Sequence, residues 1–570
     1  MRSAQPSAPS WIDRAAPGLA RLLSYERSWL RPDVLAGLTV GAMLVPQCMA
    51  YAELAGLPPE RGFYAALLAL PVYALVGTSR HLGIGPEPGT AILAATGVSA
   101  IAAGDPDRYL VLMAALALLV GIVCLVAALA RLGFLAALLS KPVLVGYITG
   151  VGLTLLSSQL AKLTGAAIDA DTFFPRFGQL LRRLDQVELA TLAMGSATLA
   201  LILLLRWKAP RVPGGLLAVV VATAVTIAFS LDEHGIAVVG DIPAGLPSLA
   251  WPDVAADDVG RLLPVALGIA LVGYSDNILT SRSIAARLGY RIDANQELVG
   301  LGMANLAAGF AQGFPISSSA SRTAVPASLG SRTQLVGIVA AVFLGTALLF
   351  ARSLLGDIPQ AALAAVIVAA ALSIIDIAGF RWLARYSRAE LLLAVGAALG
   401  VMVFDVLTGV LIAVALSLLV ALGHIARPHD AVLGEGPGLE GWVDVDAHEG
   451  ATTLEGLLVY RFDAPLFFAN VAWFHQRLLA AMERNPGEER WVVVDFEGIG
   501  SVDATAVEAL CELVDELHEQ GVVVGTARAN DIVLGQLERG GVLARIGGEN
   551  VHATINRAVR AFRERGQPGN

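Results

Sequence analysis

Long apolar runs separated by short polar turns fill most of the chain. A helix needs about 17–25 mainly apolar residues to cross a bilayer, and most of the runs have about this length. An even number of such helices places both chain ends on the same side of the membrane. We predict about fourteen membrane helices, near 33–53, 61–78, 87–103, 109–129, 134–160, 188–206, 213–231, 262–281, 296–312, 316–328, 334–354, 360–378, 389–404 and 406–426.

The hydrophobic pattern changes after about residue 441. Short buried runs at 456–461, 491–496 and 522–526 predict strands, and amphipathic stretches at 471–484, 504–520 and 532–540 predict helices. Alternating strands and helices are typical of a small α/β domain. The predicted domains are an N-terminal segment (1–30), a membrane domain (31–427), a linker (428–440) and a soluble domain (441–570).

Composition and charge agree with this division. Hydrophobic residues make up 56% of the 570 residues and charged residues only 15%, which is typical of a chain largely embedded in lipid. Residues 428–570 hold 23 acidic and 11 basic residues, out of 48 and 39 in the whole chain. The soluble domain is therefore acidic, whereas the membrane part is slightly basic.

The sequence argues against several functional classes. Cys48, Cys124 and Cys511 are too scattered for a disulfide framework or a metal site, so we expect no metal and no cofactor. The sequence has no Gly-rich nucleotide loop, which argues against a primary pump. It has no basic stripe for nucleic acid and no nucleophile–base set for catalysis. We therefore expect neither nucleic-acid binding nor an enzyme.

The distribution of lysine and arginine predicts the orientation. These residues concentrate in short cytoplasmic loops of membrane proteins. With a cytoplasmic N-terminus, the inner loops hold Arg80, Arg131, Arg332 and most other basic residues, and only the loop at 162–186 departs from the rule. We predict a protein of the cell membrane (inner or plasma) with both termini in the cytoplasm.

Two predicted spans begin at unusual segments, 83–90 and 313–322, which combine Gly and Pro with a charged residue. Such broken backbone is tolerated in a membrane only inside protein or beside a cavity, and a matched pair in two halves indicates a transporter site. Helix N-termini and Arg322 there favour an anion. The alternative is that Pro and Gly only kink these helices. Nearby hydroxyl groups belong to Thr90, Ser317, Ser318, Ser319 and Ser321.

With these segments, the chain resembles the SulP sulfate-permease family. The resemblance implies seven plus seven inverted-repeat helices that form a core and a gate domain, a cytoplasmic STAS domain, and a homodimer. It covers nearly the whole chain. The shared motifs are 33–40 (DVLAGLTV), 45–47 (VPQ), 50–52 (AYA), 55–59 (AGLPP), 84–86 (IGP), Asn305, 313–315 (GFP), 321–324 (SRTA) and 463–470 (DAPLFFAN).

The resemblance also implies which residues bind the anion. These are Gln47 and Tyr51 in the first span, Glu87 at the first interruption, and Ser319, Ser321 and Arg322 at the second. Glu87 departs from the family, where an apolar or aromatic residue is common. A carboxylate facing an anion would repel it unless protonated or turned away.

Three further residues are candidates for coupling to a cation. Asp276 lies within an otherwise apolar span, where a carboxylate is costly and functional by default. Thr280 lies one helical turn further, a spacing that resembles the sodium site of bicarbonate-transporting members of the family. Glu53 ends the first span and is either a coupling carboxylate or a residue at the water interface.

In the soluble domain, the stretch 501–507 aligns with the phosphorylated loop of soluble STAS relatives, which makes Thr505 a possible phosphoacceptor. The alternative is that Asp503 and Thr505 only cap the following helix. From all of these features we predict a secondary active transporter of a small anion (sulfate, bicarbonate or a dicarboxylate), coupled to protons. The alternatives are sodium-coupled bicarbonate symport and an anion channel or exchanger without cation coupling.

Overall fold

The computed structural model of the protein describes residues 15–137, 140–168, 170, 172–209, 212–243, 245–404, 406–438, 441–484 and 490–566. The chain divides into two compact units, Met1–Ser417 and Leu418–Asn570. Each predicted membrane run overlaps one or more helices of the first unit, or the helix Val406–Ala426, which continues past the end of that unit.

Helices make up nearly all of the described part of the first unit. The elements of its first half are α1 (Pro17–Leu23), α2 (Leu30–Leu54), α3 (Glu60–Leu67), α4 (Ala69–Val76), β1 (Ile84–Gly85), α5 (Pro88–Ala102), α6 (Pro106–Leu129), α7 (Lys141–Ser158), α8 (Leu160–Thr164), α9 (Phe173–Arg182), α10 (Leu189–Lys208) and α11 (Gly214–Ala228).

The second half repeats this plan. Its elements are α12 (Ala256–Leu288), α13 (Ala294–Phe310), β2 (Ser317–Ser318), α14 (Ala320–Ser328), α15 (Leu335–Phe350), α16 (Arg352–Gly356), α17 (Gln360–Ile374), α18 (Ile377–Tyr386), α19 (Arg388–Val403) and α20 (Val406–Ala426). In each half, the third span is short and follows a two-residue strand.

The spans differ in length. Among the described residues, six helical stretches are long and apolar enough to cross a membrane alone, namely Arg27–Leu54, Pro106–Leu129, Lys141–Thr164, Leu189–Lys208, Ala256–Leu288 and Gln360–Tyr386. Apart from α20 (Val406–Ala426), the other helices of this unit hold 17 residues or fewer. Because α5 and α14 begin at interrupted backbone, they hold only 15 and 9 residues.

Small residues let these helices pack closely. Where α6 meets α13, a Cβ atom on Gly121 would lie 2.8 Å from the carbonyl oxygen of Gly302, and a Cβ on Gly302 would lie 2.9 Å from that of Gly121. Membrane helices associate through such small-residue contacts because lipid supplies no hydrophobic drive between them. The two halves of the chain are therefore joined by backbone-to-backbone packing.

The second unit contains a six-stranded sheet in the order β4-β3-β5-β6-β7-β8. The strands are β3 (Asp430–Glu435), β4 (Trp442–Asp444), β5 (Leu457–Phe462), β6 (Trp491–Asp495), β7 (Val523–Ala527) and β8 (Val551–His552). The helices are α21 (Val471–Arg484), α22 (Ala504–Glu519), α23 (Asp531–Arg539), α24 (Val542–Ile546) and α25 (Ile555–Gly566).

The sheet is parallel from β5 to β8, while β3 and β4 are antiparallel additions. The helices α21 to α23 and the strands β5 to β7 lie where the hydrophobic pattern predicted them, to within a residue or two. The predicted linker at 428–440, by contrast, contains β3, which pairs with β5 from Asp430 to Leu433. The folded domain therefore begins before residue 441.

Candidate functional site

The structure brings the two interrupted segments together. Strands β1 and β2 pair antiparallel, with Ile84 opposite Ser318 and Gly85 opposite Ser317. The pairing continues beyond the strands, because the amide of Ser319 donates to the carbonyl of Gly83 over 3.0 Å. Backbone groups that lipid would leave without partners thus satisfy one another.

Buried side chains complete this backbone network. The carboxamide of Asn305 accepts from the amide of Ile316 over 2.9 Å and donates to its carbonyl over 3.1 Å. The hydroxyl of Thr323 accepts from the amide of Gly83 over 3.0 Å. Asn305 and Thr323 were not among the predicted site residues, although their motifs carried the family resemblance. They fix the backbone of the segment that leads into Ser319 and α14.

Arg322 lies in the first turn of α14 and is only 1% exposed. Its Nη1 donates to the Gln47 side chain over 3.0 Å and to the Pro86 carbonyl over 2.9 Å. Its Nε and Nη2 are buried without a hydrogen-bond partner, and within the described ranges it forms no ion pair. A buried cation with two free donor atoms provides an unfilled place for negative charge.

The starts of α5 and α14 differ. Glu87 caps α5, because its Oε2 accepts from the amide of Thr90 over 3.0 Å. At α14 the Ser319 side chain makes no capping bond, and its hydroxyl lies 3.0 Å from that of Ser321. The N-terminus of α14 is thus the open one, whereas that of α5 is occupied by the chain's own carboxylate.

The coupling candidates lie in different surroundings. Asp276, in the 33-residue helix α12, accepts from the Ser318 hydroxyl over 3.4 Å, which places it beside the paired strands. Thr280 lies one turn further on α12 and is partly buried. Glu53 forms an ion pair with Lys162 of α8. Its other oxygen, Oε2, is buried without a hydrogen-bond partner among the described residues, and the choice between a coupling role and an interface role stays a prediction.

Two buried tyrosines, Tyr51 and Tyr147, lie near the charged residues of the site. Tyr51 lies one turn after Gln47 on α2 and is 2% exposed. Tyr147, on α7, was not singled out in the sequence. Its hydroxyl is buried with no partner in the part of the chain that the structure describes, and Glu87 and Asp276 are close enough to act on it electrostatically. In the sequence, Tyr147 stands out as a single tyrosine within a predicted apolar span, and this pattern could have marked it as a candidate.

In the second unit, Thr505 is exposed in the first turn of α22. The neighbouring Asp503 caps that helix, since its Oδ1 accepts from the amide of Ala506 over 2.8 Å. The capping role is therefore filled by Asp503. Elsewhere, among the residues described, no group of three or more His, Cys, Asp or Glu could hold a metal ion.

Comparison with known proteins identifies the family. The profile of the sulfate permease family matches residues 30–397, and that of the STAS domain matches residues 450–558. The chain belongs to the sulfate permease family. The resemblance inferred from the motifs is thereby confirmed, and the protein is a membrane transporter of this family with a STAS domain.

Curated relatives match along most of their length. A probable sulfate transporter of Mycobacterium tuberculosis is 46% identical over 550 residues, which cover 96% of this chain and 98% of the relative. Probable sulfate transporter 4.2 of Arabidopsis thaliana is 32% identical, over 96% of this chain and 84% of its own.

Solved structures share the fold. The structure of SLC26A9 superimposes with a TM-score of 0.90 at 24% identity, covering 97% of this chain and 93% of the other. The transmembrane domain of the cyanobacterial bicarbonate transporter BicA gives a TM-score of 0.60 at 24% identity, over 70% of this chain and 98% of its own. The predicted fold class, a polytopic helical membrane protein with a C-terminal α/β STAS domain, is confirmed.

Proposed function

We propose that the protein is a secondary active transporter of a small oxyanion, with sulfate the leading candidate and bicarbonate or a dicarboxylate the alternatives. The observation that carries the proposal is the unpartnered pair of Arg322 nitrogens beside the crossing of β1 and β2. The name of the relative at 46% identity supports sulfate.

The anion would bind at the open end of α14. The amides of its first turn, the hydroxyls of Ser319 and Ser321, and the charge of Arg322 all favour a negative group there. Gln47 would serve by holding the guanidinium of Arg322, and Tyr51 by lining the pocket. Glu87 would face the anion only when its cap on α5 is released or its charge is neutralised.

Coupling would run through Asp276, with a proton as the partner. Asp276 touches β2 through Ser318, so a change in its charge acts directly on the backbone that holds the site. A sodium ion usually takes several oxygen ligands, and the hydrogen bond described for Asp276 goes to Ser318 and not to Thr280. Alternating access would move the core domain against the gate domain, in a homodimer of the cell membrane with cytoplasmic termini.

Uptake into proteoliposomes tests this proposal. We expect labelled sulfate to accumulate when the outside is acidic and to ignore a sodium gradient. Asp276→Asn should abolish this accumulation while anion exchange remains measurable, because the site itself is kept. Accumulation that follows sodium and ignores pH would instead establish the sodium-coupled alternative, and equilibration without accumulation would establish a channel or exchanger.

A further inference from the structure

A second cationic cavity lies at the N-terminal end of the membrane unit, apart from the crossing of β1 and β2. It encloses about 550 Å³. The residues that line it include Arg21, Arg80 and Arg332, together with Trp29 and Ser28. None of the lining residues in the described part of the chain is acidic. Three cations around one cavity repel each other unless an anion enters it.

Within the described ranges, no carboxylate forms an ion pair with these three arginines, and the buried Nε of Arg80 has no hydrogen-bond partner. The Arg80 guanidinium stacks on the ring of Tyr290, 4.9 Å from its centroid, which fixes its position. Burial, and next the charge of Arg80, hold the pKa of Arg21 below its ordinary value.

Two carboxylates contact or adjoin residues that line the cavity: Glu26, which accepts from the Ser28 hydroxyl over 3.4 Å, and Asp33. Asp33 lies on α2 directly after Pro32, which lines the cavity. Its oxygens accept from the amide of Arg332 and the hydroxyl of Thr333, each over 2.6 Å, and from the hydroxyl of Tyr25 over 3.2 Å. It therefore holds the backbone of Arg332 rather than the guanidinium. The cavity keeps its positive charge, and the Arg332 side chain remains exposed.

The surroundings of the cavity indicate a membrane surface. Trp29 immediately precedes the first span, a position where tryptophan commonly meets lipid headgroups. Leu23, Leu30 and Leu35 nearby are 71%, 50% and 50% exposed. Apolar side chains at this exposure beside a cationic cavity suit a ligand with acyl chains and an anionic head.

We propose that this cavity binds a phosphate group at the membrane surface, supplied by the headgroup of an anionic phospholipid. Arginine forks match phosphate oxygens, and basic pockets at helix ends recognise such headgroups. The Ser28 hydroxyl is already engaged, because it donates to Oε2 of Glu26 over 3.4 Å. A soluble phosphate offers the same chemistry without acyl chains, and the experiment below separates the two sources.

Occupancy of the cavity would also stabilise the transport unit. Arg80 precedes β1 and Arg332 follows α14, and these loops are tied by the contact between His81 Nε2 and the Ser331 carbonyl, 2.9 Å. Gln334 donates to the carbonyls of Ser79 and Leu82 over 3.0 Å each. A phosphate bridging Arg80 and Arg332 would reinforce the same connection.

The test compares the full-length protein in nanodiscs of phosphatidylcholine with and without phosphatidylglycerol. Native mass spectrometry counts the retained lipids, and a thermal melt measures stability. We expect phosphatidylglycerol to be retained and to raise the melting temperature. The triple variant Arg21→Gln, Arg80→Gln and Arg332→Gln should lose both effects, with apparent affinity about fivefold weaker for each arginine removed.

A matched control removes three exposed arginines assigned to the same side, Arg287→Gln, Arg381→Gln and Arg385→Gln, and should retain the lipid. If the first triple variant does not fold, the single Arg332→Gln, whose side chain is exposed, decides the matter. Stabilisation by inorganic phosphate in pure phosphatidylcholine discs, lost in the same variants, would identify a soluble phosphate as the ligand. No stabilisation by either source, or equal losses in the control, would overturn the site.

Discussion

At the scale of single residues, Arg322 is the group on which the candidate anion site depends. A full positive charge at 1% exposure is costly unless it is paired, yet two of its nitrogens have no partner. A buried arginine at this place can either serve an anion or neutralise the carboxylates of Asp276 and Glu87. Its bonds to Gln47 and Pro86, with no carboxylate among the partners described, favour the anion.

We therefore expect Arg322→Gln to weaken anion binding by about tenfold to a hundredfold, the equivalent of one or two charge-assisted hydrogen bonds. Lys should restore part of the affinity, since it keeps the charge without the planar fork. Anion titration of the purified, folded variant measures the change, with the exposed Arg287→Gln as control. A variant that fails to fold but is rescued by Asp276→Asn would show instead that Arg322 balances the carboxylates.

Replacing Glu87 should strengthen anion binding, whereas replacing Arg322 should weaken it. The Glu87 carboxylate caps α5 close to the proposed anion, and the repulsion between two such charges is on the order of 1–2 kcal/mol at a partly hydrated site. Glu87→Gln keeps an oxygen that can accept from Thr90 but removes the charge. Anion affinity at neutral pH should rise by about fivefold to thirtyfold and lose part of its pH dependence. Unchanged affinity would place the Glu87 carboxylate outside the reach of the bound anion.

At the scale of elements, the site rests on a strand pair only two residues long. Gly85 within it has φ +137°, a conformation that L side chains rarely adopt, and a Cβ there would lie 3.4 Å from Leu44 and 3.6 Å from Nη2 of Arg322. The neighbouring Pro86 carbonyl accepts from Arg322. Backbone strain at Gly85 would therefore reach the guanidinium directly.

We expect Gly85→Ala to lower the stability of the fold by about 1–3 kcal/mol and to weaken anion binding as well. Gly104 is a suitable control, because it also has positive φ, +86°, but a Cβ there would meet nothing within 4 Å. Gly104→Ala should cost stability without affecting the anion. Thermal melts and anion titrations of both variants test the difference, and equal anion affinity in the two would separate the strand pair from the site.

The elements also show which features a sequence can reveal. Gly and Pro at 83–90 and 313–322 were visible because they interrupt apolar runs. The strands β1 and β2 were not, since two residues carry no periodicity. β3 was missed for a different reason: its six residues, DAVLGE, hold only three apolar residues in a row and lie next to Gly and Pro, so the stretch was predicted to be a linker. The ion pair of Glu53 with Lys162 joins distant positions, which no local pattern encodes.

At the scale of the whole molecule, the candidate anion contacts all lie before Phe350, within the first of the two compact units. We expect a chain ending at Arg427 to fold in the membrane and to bind the anion, with reduced transport or poorer assembly. The cut must precede residue 430, because β3 belongs to the sheet of the second unit. Anion titration and size-exclusion chromatography of the truncated protein test this. Loss of all anion binding in a folded chain would assign part of the site to the second unit.

The sequence predicted the class of the protein, whereas it did not predict the contacts that the site residues make. Span lengths, charge distribution and motifs identify a helical transporter with a STAS domain, since these depend on composition over long stretches. The partners of Arg322 and the cap made by Glu87 depend on angstrom-scale placement. The cluster of Arg21, Arg80 and Arg332 unites one helix and two loops that no local pattern connects.

The pairing of β1 with β2 also sets an order of events during synthesis. The Pro86 carbonyl and Arg322, which donates to it, are 236 positions apart, so a ribosome that has made Pro86 needs roughly 10–50 seconds to reach Arg322. Throughout that interval the amides and carbonyls around Ile84 have no strand to pair with, and the surrounding lipid offers them no hydrogen-bond partners. The nascent first repeat must therefore wait in a partly hydrated or chaperoned state. A chain released before Ser318 is made would keep unpaired backbone amides and carbonyls around Ile84 within the membrane. Quality-control proteases can recognise such a chain.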